Sequence, residues 1–421
     1  MAANTTSTLS GLFKEVYADK LESLVPNAAR IQKDAEFVSR DKQEGNQYHQ
    51  PVRLTRAHGW TLETSGDAFP LNQPEPARTQ DATVQGSSFV LREVISYTAA
   101  AKLLSGKSEG AKKRAFVSGT SYMVENMTET AAFVLELQLL YGQTDLGIVS
   151  SVSGSSGTRT IVFTAATFIP AMWSGLERGY VDFFDTTGAT QRNAAGQCQI
   201  TAVDVSARSI TISGTEAEIT NIVATDKVYL RGTKSSGMVG LRSIVANTGS
   251  LFGVDAATYS LWAGNSHSAA SGSLTFAKVM QGLNKPVNRG AMGDMRMYCS
   301  PKSWTDMNND LSALRRYADK AGGKLTQGSD GLSYESQAGS VDVVPHIFMK
   351  PSEAIVVPKG KMIRLGASEL TFNPPGMEQD SFFENLPDHA GYGTRCYWNQ
   401  ALFLACPAKC LLINNIVNSD D

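Results

Sequence analysis

The spacing of apolar positions changes along the chain, and each change marks a region. Near the N-terminus Phe13, Val16, Tyr17, Leu21 and Leu24 recur along one side of a short amphipathic helix, with Ser10 as its N-cap and Pro26 as its stop. A helix of this kind needs a surface to lie on. From about Asp41 to Ser88 the periodicity disappears, and the segment is polar and punctuated by Pro51, Pro70, Pro74 and Pro76. Long structureless loops are uncommon inside compact domains. The segment therefore reads as an arm reaching over a neighbouring molecule, with Phe89–Tyr97 as its returning strand. A helical period resumes from Thr120 to Tyr141, with Met123, Met127, Ala131, Val134 and Leu137 as the apolar stripe. Glu125, Glu129 and Glu136 fall elsewhere on this helix, and Gly142 supplies its stop. At ~1.5 Å per residue the predicted rod is about 30 Å long.

Between about Val149 and Lys234 the pattern shortens to period two in TRTIVFTA, QITAVDV, SITISG and KVYLRG. Alternating runs separated by turn clusters predict a small antiparallel barrel or sandwich. Its Gly/Ser-rich flanks, SSVSGSSG and GTKSSG, read as linkers into and out of an insertion. Beyond it lies an α+β region. Leu274–Leu283 is predicted helical, Met295–Pro301 a strand, and the next helix has Ser303 and Asp306 at N-cap and N3 spacing, with Trp304, Met307, Leu311 and Leu314 as its apolar edge. Strands follow at VDVVP, AIVVP and KMIRLG, and Cys396–Cys406 is apolar enough to be central in a sheet.

Composition narrows the function classes. The 421 residues suffice for a sizeable core and about three domains of roughly 150 residues. Only 19% of residues are charged, a value that suits large buried surfaces more than a freely soluble monomer. Lys plus Arg number 38 against 40 Asp plus Glu, so any contact with nucleic acid should be weak and non-specific. No run approaches the ~20 apolar residues of a membrane span, and the start MAANTTSTLSGLF lacks a secretory pattern. The expectation is a protein made and used in a cytosol. Cys198, Cys299, Cys396, Cys406 and Cys410 are odd in number and unevenly spread, which argues for buried thiols over disulfides or a zinc set.

One string has a catalytic look. Ala101 to Ser108, AKLLSGKS, satisfies the relaxed phosphate-loop pattern, but its interior is a good helix former with a single glycine, and no strand-terminal Asp for magnesium follows. Nucleotide binding is the weaker reading. Lys102, Lys107, Lys112, Lys113 and Arg114 form a basic run just before the predicted long helix, either a solvated face or an inner-surface patch touching DNA or an acidic partner. The five histidines are scattered. Asp380, Glu384, Asp388 and His389 are best read as loop carboxylates with a neighbouring imidazole, because sequence alone does not bring them within hydrogen-bond reach. No cofactor or metal site is expected.

In order, these segments resemble the major capsid proteins of tailed double-stranded-DNA bacteriophages with the α+β Hong Kong 97-type fold. The resemblance rests on the succession of arm, extended loop and long helix ending in ELQLLYG (Glu136 to Gly142), and on GMVGLRSIVANTGSLFGVDAATYSLWAG (Gly237 to Gly264). It rests also on the strand, Ser-Pro and Trp-bearing helix of Cys299 to Leu314, and on the terminal sheet-forming segment. It implies an N-terminal arm (1–45), an extended loop (46–95), a peripheral domain with a spine helix (96–148), an inserted small β-barrel or sandwich domain (149–235), an axial domain (236–340) and returning strands of both domains (341–421). It further implies self-assembly into hexamers and pentamers of an icosahedral head around packaged DNA. A portal protein at one vertex, a separate scaffolding protein and an added cementing protein are the partners implied, and the host bacterial cytoplasm is the place of assembly. Phe13, Tyr17, Arg53, Arg56, Arg78 and Arg92 are the candidate intersubunit contacts. The sequence departs from members that cross-link through a lysine of the extended loop, since no lysine lies between Lys42 and Lys102. The rival readings are a tail-tube or decoration protein, and an enzyme built around Ala101 to Ser108.

Overall fold

In the computed structural model of this chain the described residues are 29–38, 47–62, 66, 69–98, 109–155, 157–193, 198–310, 332–372, 384–385 and 390–419, with side chains left out for 109–121 and 385. The expected N-terminal helix, with Phe13 and Tyr17, lies outside them. The described chain opens with a short helix, α1 (Arg30–Asp34), and a two-residue strand, β1 (Glu36–Phe37). The proline-punctuated segment forms a long hairpin of β2 (Tyr48–Arg53) and β3 (Thr79–Val84), and β4 (Ser87–Ser96) is the returning strand. The spine helix, α2, runs Glu109–Leu140. It begins well before the expected Thr120 because Ala111, Lys112, Lys113, Arg114 and Ala115 are strong helix formers that carry the helix past Gly119. The basic residues 112–114 thus belong to its first turns and do not precede it. Its 32 residues make a rod of about 48 Å.

Met127, Ala131 and Leu137 of the predicted stripe are buried, but the end of α2 is buried on every side, from Leu135 through Tyr141. Glu136, expected among the polar positions, is fully buried. A helix encased all round no longer shows a single apolar face. Gly142 ends it as expected, in the left-handed region at φ 54°, where a Cβ would overlap the carbonyl oxygen of Met238.

The period-two region closes into a six-stranded barrel of β5 (Gly147–Ser153), β6 (Thr158–Phe163), β7 (Tyr180–Phe184), β8 (Cys198–Asp204), β9 (Ser209–Ser213) and β10 (Lys227–Leu230), in the order β10-β5-β6-β9-β8-β7. β7 pairs with β10, so no edge is left open. The alternation sends Val149, Ile161, Phe163, Val181, Ile200 and Ile212 inward, and Trp173 stacks on Phe163 at 4.9 Å between ring centroids. β5 and β10 pair at Gly147 and Val228, so the chain enters and leaves the barrel side by side. SSVSGSSG, expected as a linker, supplies half of β5. Its serines are polar, but a barrel strand needs only one inward face and a backbone ladder. GTKSSG likewise holds the short helix Thr233–Ser236.

Beyond the barrel a ribbon of β11 (Ser250–Leu251) and β12 (Val254–Asp255) leads to β13 (Ser266–Gly272), helix α3 (Phe276–Asn288), β14 (Met295–Cys299) and helix α4 (Pro301–Asn308). Then come β15 (Leu332–Glu335), β16 (Ser340–Pro345), β17 (Ala354–Pro358), β18 (Met362–Thr371), β19 (Glu384–Asn385), β20 (Gly391–Leu404) and β21 (Leu411–Ile416). One sheet has the order β13-β21-β17-β14-β16-β15, with Val279 and Leu283 of α3 and Met307 of α4 in its core. Ser300, not Ser303, caps α4, accepting from the Ser303 N–H at 3.1 Å with Pro301 in the first turn. Ser303 is buried inside the helix and donates to Asn418 Oδ1 at 2.8 Å. Leu311 and Leu314 lie outside the described residues. In the second sheet the apolar run at Cys396 is central as expected: β20 pairs β18 and β19, and pairs β4 antiparallel from Gly391 to Gln400. α2 covers one face of this sheet through Met127 and Ala131 against Cys396.

Candidate intersubunit surface

Among the described residues the hairpin is tied to the body at its base. Leu54, Ala82 and Val84 are buried, and the Thr83 N–H donates to the Phe252 carbonyl at 2.9 Å. Farther out the two legs hold one another through the His58–Glu75 bridge and through Asn72, whose N–H donates to Thr61 Oγ1 and whose amide donates to the Trp60 carbonyl, both at 2.9 Å. At this end Trp60, Leu62 and Leu71 are 69%, 71% and 81% exposed. Large apolar side chains gathered at one end of a hairpin make this end a candidate interaction surface. The open face of β4 adds exposed Val90 and Val94 on either side of Arg92.

The four candidate arginines are all exposed, and none forms an ion pair with a described residue. Arg53 lies opposite Thr79, next to Arg78, and Arg56 follows on the outgoing leg, so three of the four share the hairpin. Arg92 stands apart on β4, directly opposite Arg395 in the register. Like charges placed so disfavour the pairing unless something anionic shares them, and Arg395 has Glu384 at 3.2 Å. Lys102 and Lys107, with the whole of Ala101 to Ser108, lie outside the described residues. The strand before that string, β4, runs antiparallel to β20. Of the four residues Asp380, Glu384, Asp388 and His389, Glu384 is engaged with Arg395, and the other three are outside the described residues. No cluster of His, Cys, Asp and Glu able to hold a metal occurs among the described residues. Burial pushes the Cys198 and Cys299 thiols up to about 12, which leaves them protonated and unreactive at neutral pH.

What sequence reasoning missed is a buried polar junction where α1, α2 and the β14 sheet meet. Glu136 and His346 are fully buried and 2.8 Å apart. One helical turn on, the Tyr141 hydroxyl donates to the Phe348 carbonyl at 3.0 Å and accepts from the Lys350 N–H at 2.8 Å. Burial pushes the Tyr141 phenol well up. Lys350 Nζ pairs with Asp145 at 2.7 Å. Burial alone would raise the Asp145 carboxyl, and Lys350 outweighs it, holding the group below its usual value. Arg242 and Glu353 form a further pair at 2.5 Å. The only sequence signal was a lone charge inside the apolar run ELQLLY.

No protein-family model and no curated protein matches this sequence. Solved structures do. The chain is similar to the subunit of a cyanophage A-1(L) capsid, with a TM-score of 0.52 at 11% identity over 98% of this chain and 99% of that one. It is also similar to the capsid subunit of a native GTA particle, with a TM-score of 0.50 at 9% identity over 99% and 100% of the two chains. At such identities the likeness is one of fold: the chain has the α+β phage-capsid fold, with a closed barrel in it.

Proposed function

We propose that this protein is the major capsid protein of a tailed double-stranded-DNA phage, a structural subunit that assembles into hexamers and pentamers of an icosahedral head. The observation that carries the reading is end-to-end coverage of capsid subunits in both directions, nothing large being left over on either chain. A tail-tube or decoration protein would not be covered in this way. The hairpin supplies the physical means. Its exposed apolar tip is left uncovered by the described residues, and burial at ~25 cal/mol per Å² favours seating it on another copy. Arg53, Arg56 and Arg78 on the hairpin, and Arg92 beside it, would pair with carboxylates of neighbours. On this reading the segment 149–235 is a surface domain, residues 112–114 lie on a helix turned toward weakly held DNA, and scaffolding, portal and cementing proteins are separate chains. The subunit is assigned no catalytic role.

The chain expressed alone and with a scaffolding protein should give closed icosahedral shells by electron microscopy. Because the loop lacks a lysine and a guanidinium stays protonated, shells boiled in detergent should run as a monomer band near 45.2 kDa. Soluble monomer under every condition would overturn the reading, and a reduction-resistant ladder of multimers would overturn its non-covalent part.

A further inference from the structure

A five-residue helix has no stability of its own in water, because nucleation fixes several residues for a single hydrogen bond. The conformation of α1 is therefore imposed by what it docks on. Glu136 of the spine helix meets its first turn: Oε1 accepts from the N–H groups of Arg30 at 2.9 Å and Ile31 at 2.7 Å, and Oε2 accepts from that of Gln32 at 3.1 Å. The Gln32 side chain donates to the Ala132 carbonyl at 2.6 Å. His346 completes the carboxylate's shell, and its tautomer follows from its other bond. Nδ1 accepts from the Phe348 N–H at 3.1 Å, so the ring proton is on Nε2 and is donated to Glu136 at 2.8 Å. At the far end of α1, Asp34 accepts from the Tyr298 hydroxyl at 2.5 Å and pairs with Arg296, both on β14. Beyond it Arg364 donates to the Ala35 carbonyl at 2.9 Å, and β1 adds to β18 in parallel. The buried Lys350 and the half-buried Arg242 are engaged with Asp145 and Glu353.

We propose that residues 30–38 are a two-state latch joining α2, β14 and β18, docked as a unit by the Glu136 and Asp34 contacts at its two ends and released as a unit. The inference rests on the subunit's geometry and stands whether or not the subunit builds a shell. Partial release is disfavoured from both ends. Lifting the first turn strips a fully buried carboxylate of three of its four donors, and a buried charge left unpaired is among the costliest defects a fold can carry. Lifting the other end exposes Ala35 and unpairs Arg296, while Ile31, fully buried, ties the two ends together.

Hydrogen exchange on the full chain tests this with two variants, Glu136→Gln on the spine side and Asp34→Asn on the arm side. In each, the amides of Ile31, Gln32, Ala35 and Val38 should exchange together, about a hundredfold faster than in the parent. The amides of β9 and β17 should keep their protection. The cooperative response is the diagnostic one: Asp34→Asn must release the Ile31 and Gln32 amides, which it does not touch. Faster exchange only near the altered end, unchanged exchange at all four amides, or an equal rise through the barrel and β17 in both variants would each overturn the latch.

Discussion

The barrel and the hairpin are built from the same local material, antiparallel ladders of short strands, and they end in opposite states. The barrel closes β7 on β10, so each strand has two neighbours and its apolar face points into a common core. The hairpin has two strands, an isolated pairing that is marginal in water, and its outer half is not covered by the described chain. The exposed large apolar residues follow this division. Trp60, Leu62, Phe69 and Leu71 crowd into residues 60–71, whereas the whole of 147–230 exposes only Tyr180, Val205 and Val223 among its described residues. Closure satisfies a module from within. The described part of the hairpin leaves its apolar surface open, so on the proposed reading the energetics of one region belong to the subunit and those of the other to its contacts.

Substitution should separate the two kinds of energy. The largest effect on the subunit is expected from Trp173→Ala, which empties a fully buried site stacked on Phe163 and should cost about 3–5 kcal/mol in denaturant unfolding of the unassembled chain. A loss under about 1 kcal/mol would mean that the barrel core is not the self-sufficient unit described. Next comes the hairpin. Trp60→Ser with Leu71→Ser should leave subunit unfolding within about 0.5 kcal/mol of the parent. The same pair should raise the concentration at which assembly begins by roughly tenfold or more, followed by light scattering. Equal losses in both assays would erase the distinction. The smallest effect belongs to a barrel turn. Asp185 accepts from the Thr187 hydroxyl and the Ala189 N–H, bonds that hold its carboxyl down from 3.8 to about 2. A depressed folded value stabilises above the unfolded value, and that stability is lost as pH falls through the folded one. Asp185→Asn should therefore be slightly less stable at pH 6, with the two unfolding curves converging as the pH approaches about 2. A gap that persists in acid would assign the effect to something other than the carboxylate.

Much of this architecture is legible in local pattern. Period two foretells β6, β8, β9 and β10, the 3.6-residue period foretells α2, and the unbroken apolar run at Cys396 foretells the central β20, because each depends on how neighbouring residues share a face. Prolines and lost periodicity also foretell a polar, extended stretch where β2 and β3 form, and Arg53, Arg56, Arg78 and Arg92 are exposed. Local pattern fails where a distant segment decides. β5 and β7 carry weak signals of their own and become strands because the barrel must close. Residues 112–114 join the helix because nothing between Glu109 and Thr120 stops it. Glu136 looks like one more surface glutamate until α1, more than 100 residues earlier in the chain, and His346, 210 residues later, converge on its carboxylate. Sequence by itself determined the elements with a strong period of their own and the capsid resemblance, since propensity and period act over a few residues. Only the tertiary structure decided which charge is buried and what satisfies it, because the cost of a buried carboxylate is met by donors that the linear chain keeps far apart.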